Sequence, residues 1–271
     1  MLATHYTTTE TGKTAYYTHA SFDAVRGDIL VLLHGFCENS TIWQLLLPYL
    51  PPNSQVVCID IGSFGGSKLQ RDTTVENMAV QVADVLTALQ IARCVLLGHS
   101  LGGYVTLAFA AQFPQYLAGF GLLHSHPFVD TFEKKENRRK TIQFIQRHGV
   151  APFAKQFFYA LFAPDFARAN THLIEELTAT ARTLAPETII AASYAMIDRT
   201  DRSAVLQTTA LPVLIVGGKQ DDTIHTPVSI AQSLLPNTSK LVLLARVGHM
   251  SMYEAPQALA NAITHYLSTI H

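Results

Sequence analysis

Six short apolar runs recur along the chain: DILVLL at 28–33, QVVCID at 55–60, CVLLG at 94–98, AGFGLL at 118–123, PVLIVGG at 212–218 and KLVLLA at 240–245. None alternates apolar with polar residues. A strand with one wet face would alternate, so continuous runs of this length mark strands covered on both faces, the condition of a mostly parallel sheet. Parallel neighbours need long crossovers, and helical patterns fill the intervals. Val75, Met78, Ala79, Val82, Val85, Leu86 and Leu89 recur at i, i+3, i+4 and i+7 spacing, with Thr73 and Glu76 in front as a capping box; they predict an amphipathic helix over 74–90. One region breaks the rhythm. From 127 to 206 no strand pattern appears, only helical stretches such as KTIQFIQRHG, APFAKQFFYALF and THLIEELTATARTL, punctuated by Pro152, Pro164 and Pro186. That block is too long for a connection and too poor in strands to extend the sheet. The expected architecture is α/β: a mostly parallel central sheet flanked by helices, its core formed by 1–126 and 207–271, with 127–206 inserted as a helical cap.

Charge and cysteine content narrow the function classes. Nineteen Lys and Arg face twenty Asp and Glu, a formal charge of −1, which leaves no basic footprint for nucleic acid. The densest cluster, KKENRRK at 134–140, is interleaved with Glu133 and Glu136 and reads as a solvated helix face. Cys37, Cys58 and Cys94 are odd in number and lack CxxC spacing, so neither a disulfide framework nor a metal site is expected. The opening MLATHYTTTETGK is polar, and no apolar run approaches the ~18 residues of a membrane span. The expectation is a cytoplasmic protein, monomer or homodimer, whose partner is a small-molecule substrate, with no cofactor, membrane or nucleic acid.

Within CVLLGHSLGGYV the third apolar run meets a serine boxed by glycines and then an apolar helix pattern, Leu101 to Phe113, stopped by Pro114. Strand, Gly98-His99-Ser100-Leu101-Gly102, helix is the context of a nucleophile elbow, in which a sharp turn stands the serine hydroxyl at the open end of the sheet. A serine hydroxyl attacks only when a base takes its proton and an acid orients that base. His249 in RVGHMSMYEAP follows the last strand run, where a loop histidine can reach back over the sheet edge. The acid is expected after PVLIVGG, in GGKQDDTIHTP; the spacing Gly218-x-x-Asp221 favours Asp221, and Asp222 reads as a loop or capping residue. The oxyanion needs donors fixed in advance. Leu101 offers one N–H at the helix start, and Phe36 in the loop His34-Gly35-Phe36 is the natural second, with His34 stabilising that loop.

These motifs, HGF at 34–36, DIGSFGGS at 60–67, GHSLGG at 98–103, GGKQD at 217–221 and GHM at 248–250, stand in an order that resembles the α/β-hydrolase superfamily, of the capped type with an HG-x oxyanion loop. The resemblance spans nearly the whole chain and implies a catalytic triad of Ser100, Asp221 and His249. DIGSFGGS departs from the Asp-x-Pro-Gly-x-Gly-x-Ser usual among relatives. A serine at the elbow argues against the dehalogenases and epoxide hydrolases of the superfamily, which carry an aspartate there.

The simplest chemistry for these groups is acyl transfer from a small carboxylic ester to water. Relatives use the same groups for C–C or amide hydrolysis, elimination or perhydrolysis, and some retain the triad as ligand receptors, because a fold does not choose a reaction. Cys37, His99 and His124 are candidates for the pocket wall, as is His126. Trp43 is expected in the core, and Phe153, Phe157, Phe158, Tyr159 and Phe162 on the underside of a cap helix.

Overall fold

Branched apolar residues in runs of five to seven build the parallel strands of the sheet. The computed structural model describes residues 2–19 and 29–270. Its strands are β1 (Leu2–Thr9), β2 (Gly12–His19), β3 (Ile29–Leu33), β4 (Gln55–Ile59), β5 (Lys68–Leu69), β6 (Cys94–His99), β7 (Leu117–Leu123), β8 (Val213–Gly218) and β9 (Ser239–Leu244). All join one sheet in the order β1-β2-β4-β3-β6-β7-β8-β9, with β5 on β2. From β4 to β9 every neighbouring pair is parallel, and β1, β2 and β5 pair antiparallel. β3, β6, β7 and β8 are buried at every residue, as their unbroken apolar sequences require. Asp28, first residue of the run assigned to β3, lies outside the described residues.

The helices are α1 (Val75–Ala88), α2 (Leu101–Gln112), α3 (Phe132–His148), α4 (Val150–Leu161), α5 (Pro164–Ala169), α6 (Thr171–Arg182), α7 (Pro186–Asp198), α8 (Ser203–Thr208), α9 (Thr226–Ser233), α10 (Ser251–Glu254) and α11 (Pro256–Leu267). α1 buries the predicted face, but its cap is shifted by one residue. Thr74, not Thr73, holds the extended N-cap and accepts from Asn77 N at 3.0 Å, while Glu76 turns outward to Arg202 at 2.5 Å. No capping box forms.

α3 to α8 all lie between β7 and β8. The chain leaving β7 and the chain returning from α7 are clasped. Arg199 reaches Asp130 at 2.8 Å and the Phe128 carbonyl at 2.9 Å, Arg138 meets the other Asp130 oxygen at 2.6 Å, and Arg202 N donates to the Pro127 carbonyl at 2.9 Å. The Arg199 guanidinium also stacks 4.0 Å over the Tyr104 ring of α2. From α4, Phe153 and Phe157 pack against Phe36, with ring centres 6.4 and 5.6 Å apart, and Phe158 is fully buried. Tyr159 faces outward at 49% exposure, so it does not belong to the underside of that helix. Trp43 is buried in a 3-10 helix, Ser40–Trp43. No helix among the described residues is long and apolar enough to cross a membrane.

Candidate active site

Ser100 stands between β6 and α2 with φ 49° and ψ −112°, a conformation sparsely populated for any residue with a side chain and costing on the order of 1–3 kcal/mol. The neighbouring backbone imposes it. Ser100 N donates to Leu123 O at 3.0 Å, and Ser100 O accepts from Gly103 N at 2.9 Å and from the Ser125 hydroxyl at 2.7 Å. Glycine is needed where the turn is tightest: a Cβ at Gly98 would overlap Gly102 O, and one at Gly102 would lie 2.6 Å from His34 O. Serine at a helix N-cap ordinarily accepts from the first turn. Ser100 does not, and its half-exposed hydroxyl makes no side-chain hydrogen bond among the described residues.

His249 and Asp221 come together from 28 residues apart, with Nδ1 donating to Oδ2 at 2.8 Å. Nδ1 therefore carries the proton in the neutral ring and Nε2 the lone pair. Asp221 is buried and fully used: Oδ1 accepts from Thr223 N and Ile224 N, and Oδ2 accepts also from His124 Nδ1 at 2.9 Å. Burial alone would raise its pKa, but the facing His249, His124 and these donors hold the carboxyl well below the usual range. Asp222, by contrast, is exposed. The base loop is fixed at both ends of the histidine. His249 N donates to Leu161 O at 2.7 Å, and Glu254 accepts from Gly248 N, Met250 N and Ala163 N at 2.8 to 3.0 Å.

Leu101 N follows Ser100 at the start of α2, and Phe36 N lies in the loop after β3. His34 Nε2 accepts from Ile61 N at 3.0 Å, so its Nδ1 bears the hydrogen and donates to Gly35 O at 2.8 Å. Across a trans peptide C=O and N–H point in opposite directions, which turns Phe36 N–H away from His34. Neither Phe36 N nor Leu101 N finds an acceptor among the described residues.

His99 and His124 do not sit on a wall open to substrate. Both rings are completely buried and turned onto protein partners, His99 between Glu38 and the His249 carbonyl, His124 on Asp221. Burial pushes His124 down to about 4 in spite of Asp221. His126, 7% exposed, stacks on Phe128 and is pushed by burial to about 3. Cys37 is 2% exposed at φ 63°, and burial pushes its thiol up, so it offers substrate neither surface nor thiolate. Glu38 and Glu254 carry no sequence signal; each joins its own loop to a distant one, Glu38 to His99 and Glu254 to Ala163. Asp60 organises DIGSFGGS, accepting from Ser40 N and Gly66 N at 2.8 Å and from Tyr17 OH at 3.0 Å.

A sequence profile of the alpha/beta hydrolase family matches residues 30–262. The chain is an α/β-hydrolase. Over 273 residues this α/β-hydrolase is 25% identical to an uncharacterized hydrolase, YugF, of Bacillus subtilis, covering 94% of this chain and 95% of the relative. It is 25% identical to a pimeloyl-[acyl-carrier protein] methyl ester esterase of Aeromonas hydrophila, over 89% of this chain and 96% of that one. A solved thermophilic esterase from Thermogutta terrifontis superposes with a TM-score of 0.88 at 27% identity, covering 100% of this chain and 99% of the other.

Proposed function

We propose that this α/β-hydrolase is a serine carboxylesterase acting on small carboxylic esters, with residues 127–206 as a cap over a core of 1–126 and 207–271. The observations that support the reading are an uncapped, strained serine at the end of β6, a His–Asp pair with Nδ1 on the carboxylate, and two N–H groups without acceptors among the described residues. Ser100 Oγ attacks the ester carbonyl while His249 Nε2 takes its proton, a contact that closes when substrate binds. Asp221 holds the ring by Nδ1 and supports the imidazolium. The oxyanion that forms is met by Phe36 N and Leu101 N, which need no reorganisation to receive it. His249 then protonates the departing alkoxide, and a water activated by the same nitrogen hydrolyses the acyl-enzyme. The esterase relatives support an ester as the substrate.

Ser100→Ala and His249→Ala each cost several orders of magnitude in kcat on p-nitrophenyl acetate, and the double variant costs little more, because the pair acts as one unit. A pre-steady-state burst of one p-nitrophenolate per chain, its acyl group retained on Ser100, accompanies the wild type. Full turnover by purified Ser100→Ala rejects the assignment.

A further inference from the structure

Glu38 and His99 take no part in the acyl transfer above, yet they lie beneath it. His99 ends β6 next to Ser100; Glu38 follows the Phe36 donor by two residues. His99 Nδ1 lies 3.0 Å from Glu38 Oε2, and Nε2 lies 2.9 Å from the His249 carbonyl oxygen. A neutral imidazole has one N–H and cannot donate to both. Either the ring is a cation beside a carboxylate, or a protonated Glu38 donates to Nδ1. Gly35 N favours the first: it donates to the same Oε2 at 2.7 Å, a short contact that suits a carboxylate oxygen, a far stronger acceptor than the hydroxyl oxygen of an acid.

We propose that Glu38 and His99 form a standing carboxylate–imidazolium pair that positions the two halves of the site on either side of Ser100. Glu38 fixes the peptide before Gly35, as His34 fixes the one after it, so the Phe36 N–H direction is set from both ends. The His99 cation grips the His249 main chain at its carbonyl. Gly35 belongs to the same device, because a Cβ there would lie 2.7 Å from both Glu38 Oε2 and His99 Nδ1. The pair is 0% and 1% exposed in its side chains. Desolvation cancels much of the attraction in such a pair, so it is a poor means of stabilising a fold and a good means of fixing one register. Burial opposes the charge on each partner, but each draws the other's pKa in its favour, down for Glu38 and up for His99. The other groups facing His99 are His249 and His124, with ring centres at 4.9 and 6.0 Å; Asp221 and His34 act on it at longer range.

The catalytic consequence rests on the proposed ester chemistry; the charge state does not. In the full chain labelled with 15N-histidine, one ring keeps both nitrogens protonated across the neutral range without titrating. It is assigned by its loss in His99→Gln, or by its proximity to the Gly35 amide if that variant does not fold. Glu38→Gln preserves the shape and can still accept from Gly35 N, but leaves His99 neutral. Its ring then shows one protonated nitrogen, and kcat falls about 10- to 100-fold with KM nearly unchanged, since only the transition state uses what the pair positions. A neutral His99 in the wild type overturns the proposal, as does wild-type kcat in Glu38→Gln. Ester turnover that survives Ser100→Ala, beside an intact imidazolium, rejects the triad and leaves the pair standing.

Discussion

At Asp221 one carboxylate oxygen serves two histidines and the other serves two peptide N–H groups, so every lone pair has an assigned donor. Asparagine cannot reproduce this in either orientation. With its oxygen toward the histidines, its NH2 confronts Thr223 N and Ile224 N; reversed, it forces His249 into the tautomer that lacks a lone pair at Nε2. Asp221→Asn therefore lowers kcat by about 10⁴-fold, while Asp222→Asn, changed on an exposed side chain, stays within a few-fold. Steady-state kinetics of the two variants side by side checks the pairing, and the opposite ranking transfers the role to Asp222. Ser100, Asp221 and His249, the proposed nucleophile, acid and base, were legible in the sequence because each follows a strand at a motif with its own local signature. Glu38, His99 and Glu254 were not, because their partners lie 61, 150 and up to 91 residues away in sequence.

Elements with apolar runs or apolar spacing were legible, β9 included although it is only partly buried. β3, β6, β7 and β8 announce themselves by unbroken apolar sequence, and α1 by its spacing. β1 does not, because Ala3, Thr4, His5, Tyr6 and Thr8 are exposed on an edge strand, so no face of it carries a hydrophobic pattern. Its hairpin is formed by threonine-rich sequence that pairing alone orders. The clasp at the base of α3 and α7 was equally silent. Burial opposes ionisation of Asp130, but hydrogen bonds and charge from Arg199 and Arg138 hold it well below the usual carboxylate range. A depressed acid contributes stability that is present above its unfolded value, about 3.9, and drains away as pH falls. Arg199→Leu, which leaves a buried carboxylate half-partnered, destabilises the protein by about 3 kcal/mol in neutral urea titrations. The gap to the wild type narrows below about pH 4; a gap independent of pH assigns the loss to packing over Tyr104 instead.

In the whole molecule the helices between β7 and β8 meet the loops of the candidate site through Phe153 and Phe157 on the Phe36 loop, Leu161 and Ala163 on the His249 loop, and Lys134, which donates to the Thr223 carbonyl beside Asp221 at 3.3 Å. As the proposed cap, a segment held this closely limits substrate from above. Across p-nitrophenyl esters, each methylene that finds wall gains about 1–3 kcal/mol of transition-state binding, so kcat/KM climbs roughly 10-fold or more per step and then falls once the wall is reached. Rates show no jump at the solubility limit; a monotonic rise to long chains with interfacial activation identifies a mobile lid. The clasp has a further consequence, for ancestry. β7 and β8 pair directly, Phe120 opposite Val213, although six helices intervene, and the first five of them, α3 to α7, leave and return through peptides bonded to each other at Pro127 and Arg202. A segment whose ends already touch can be exchanged for another with little disturbance to the sheet register. Descendants of such a chain can acquire new substrates by recombination in one segment while the machinery of bond cleavage is inherited unchanged.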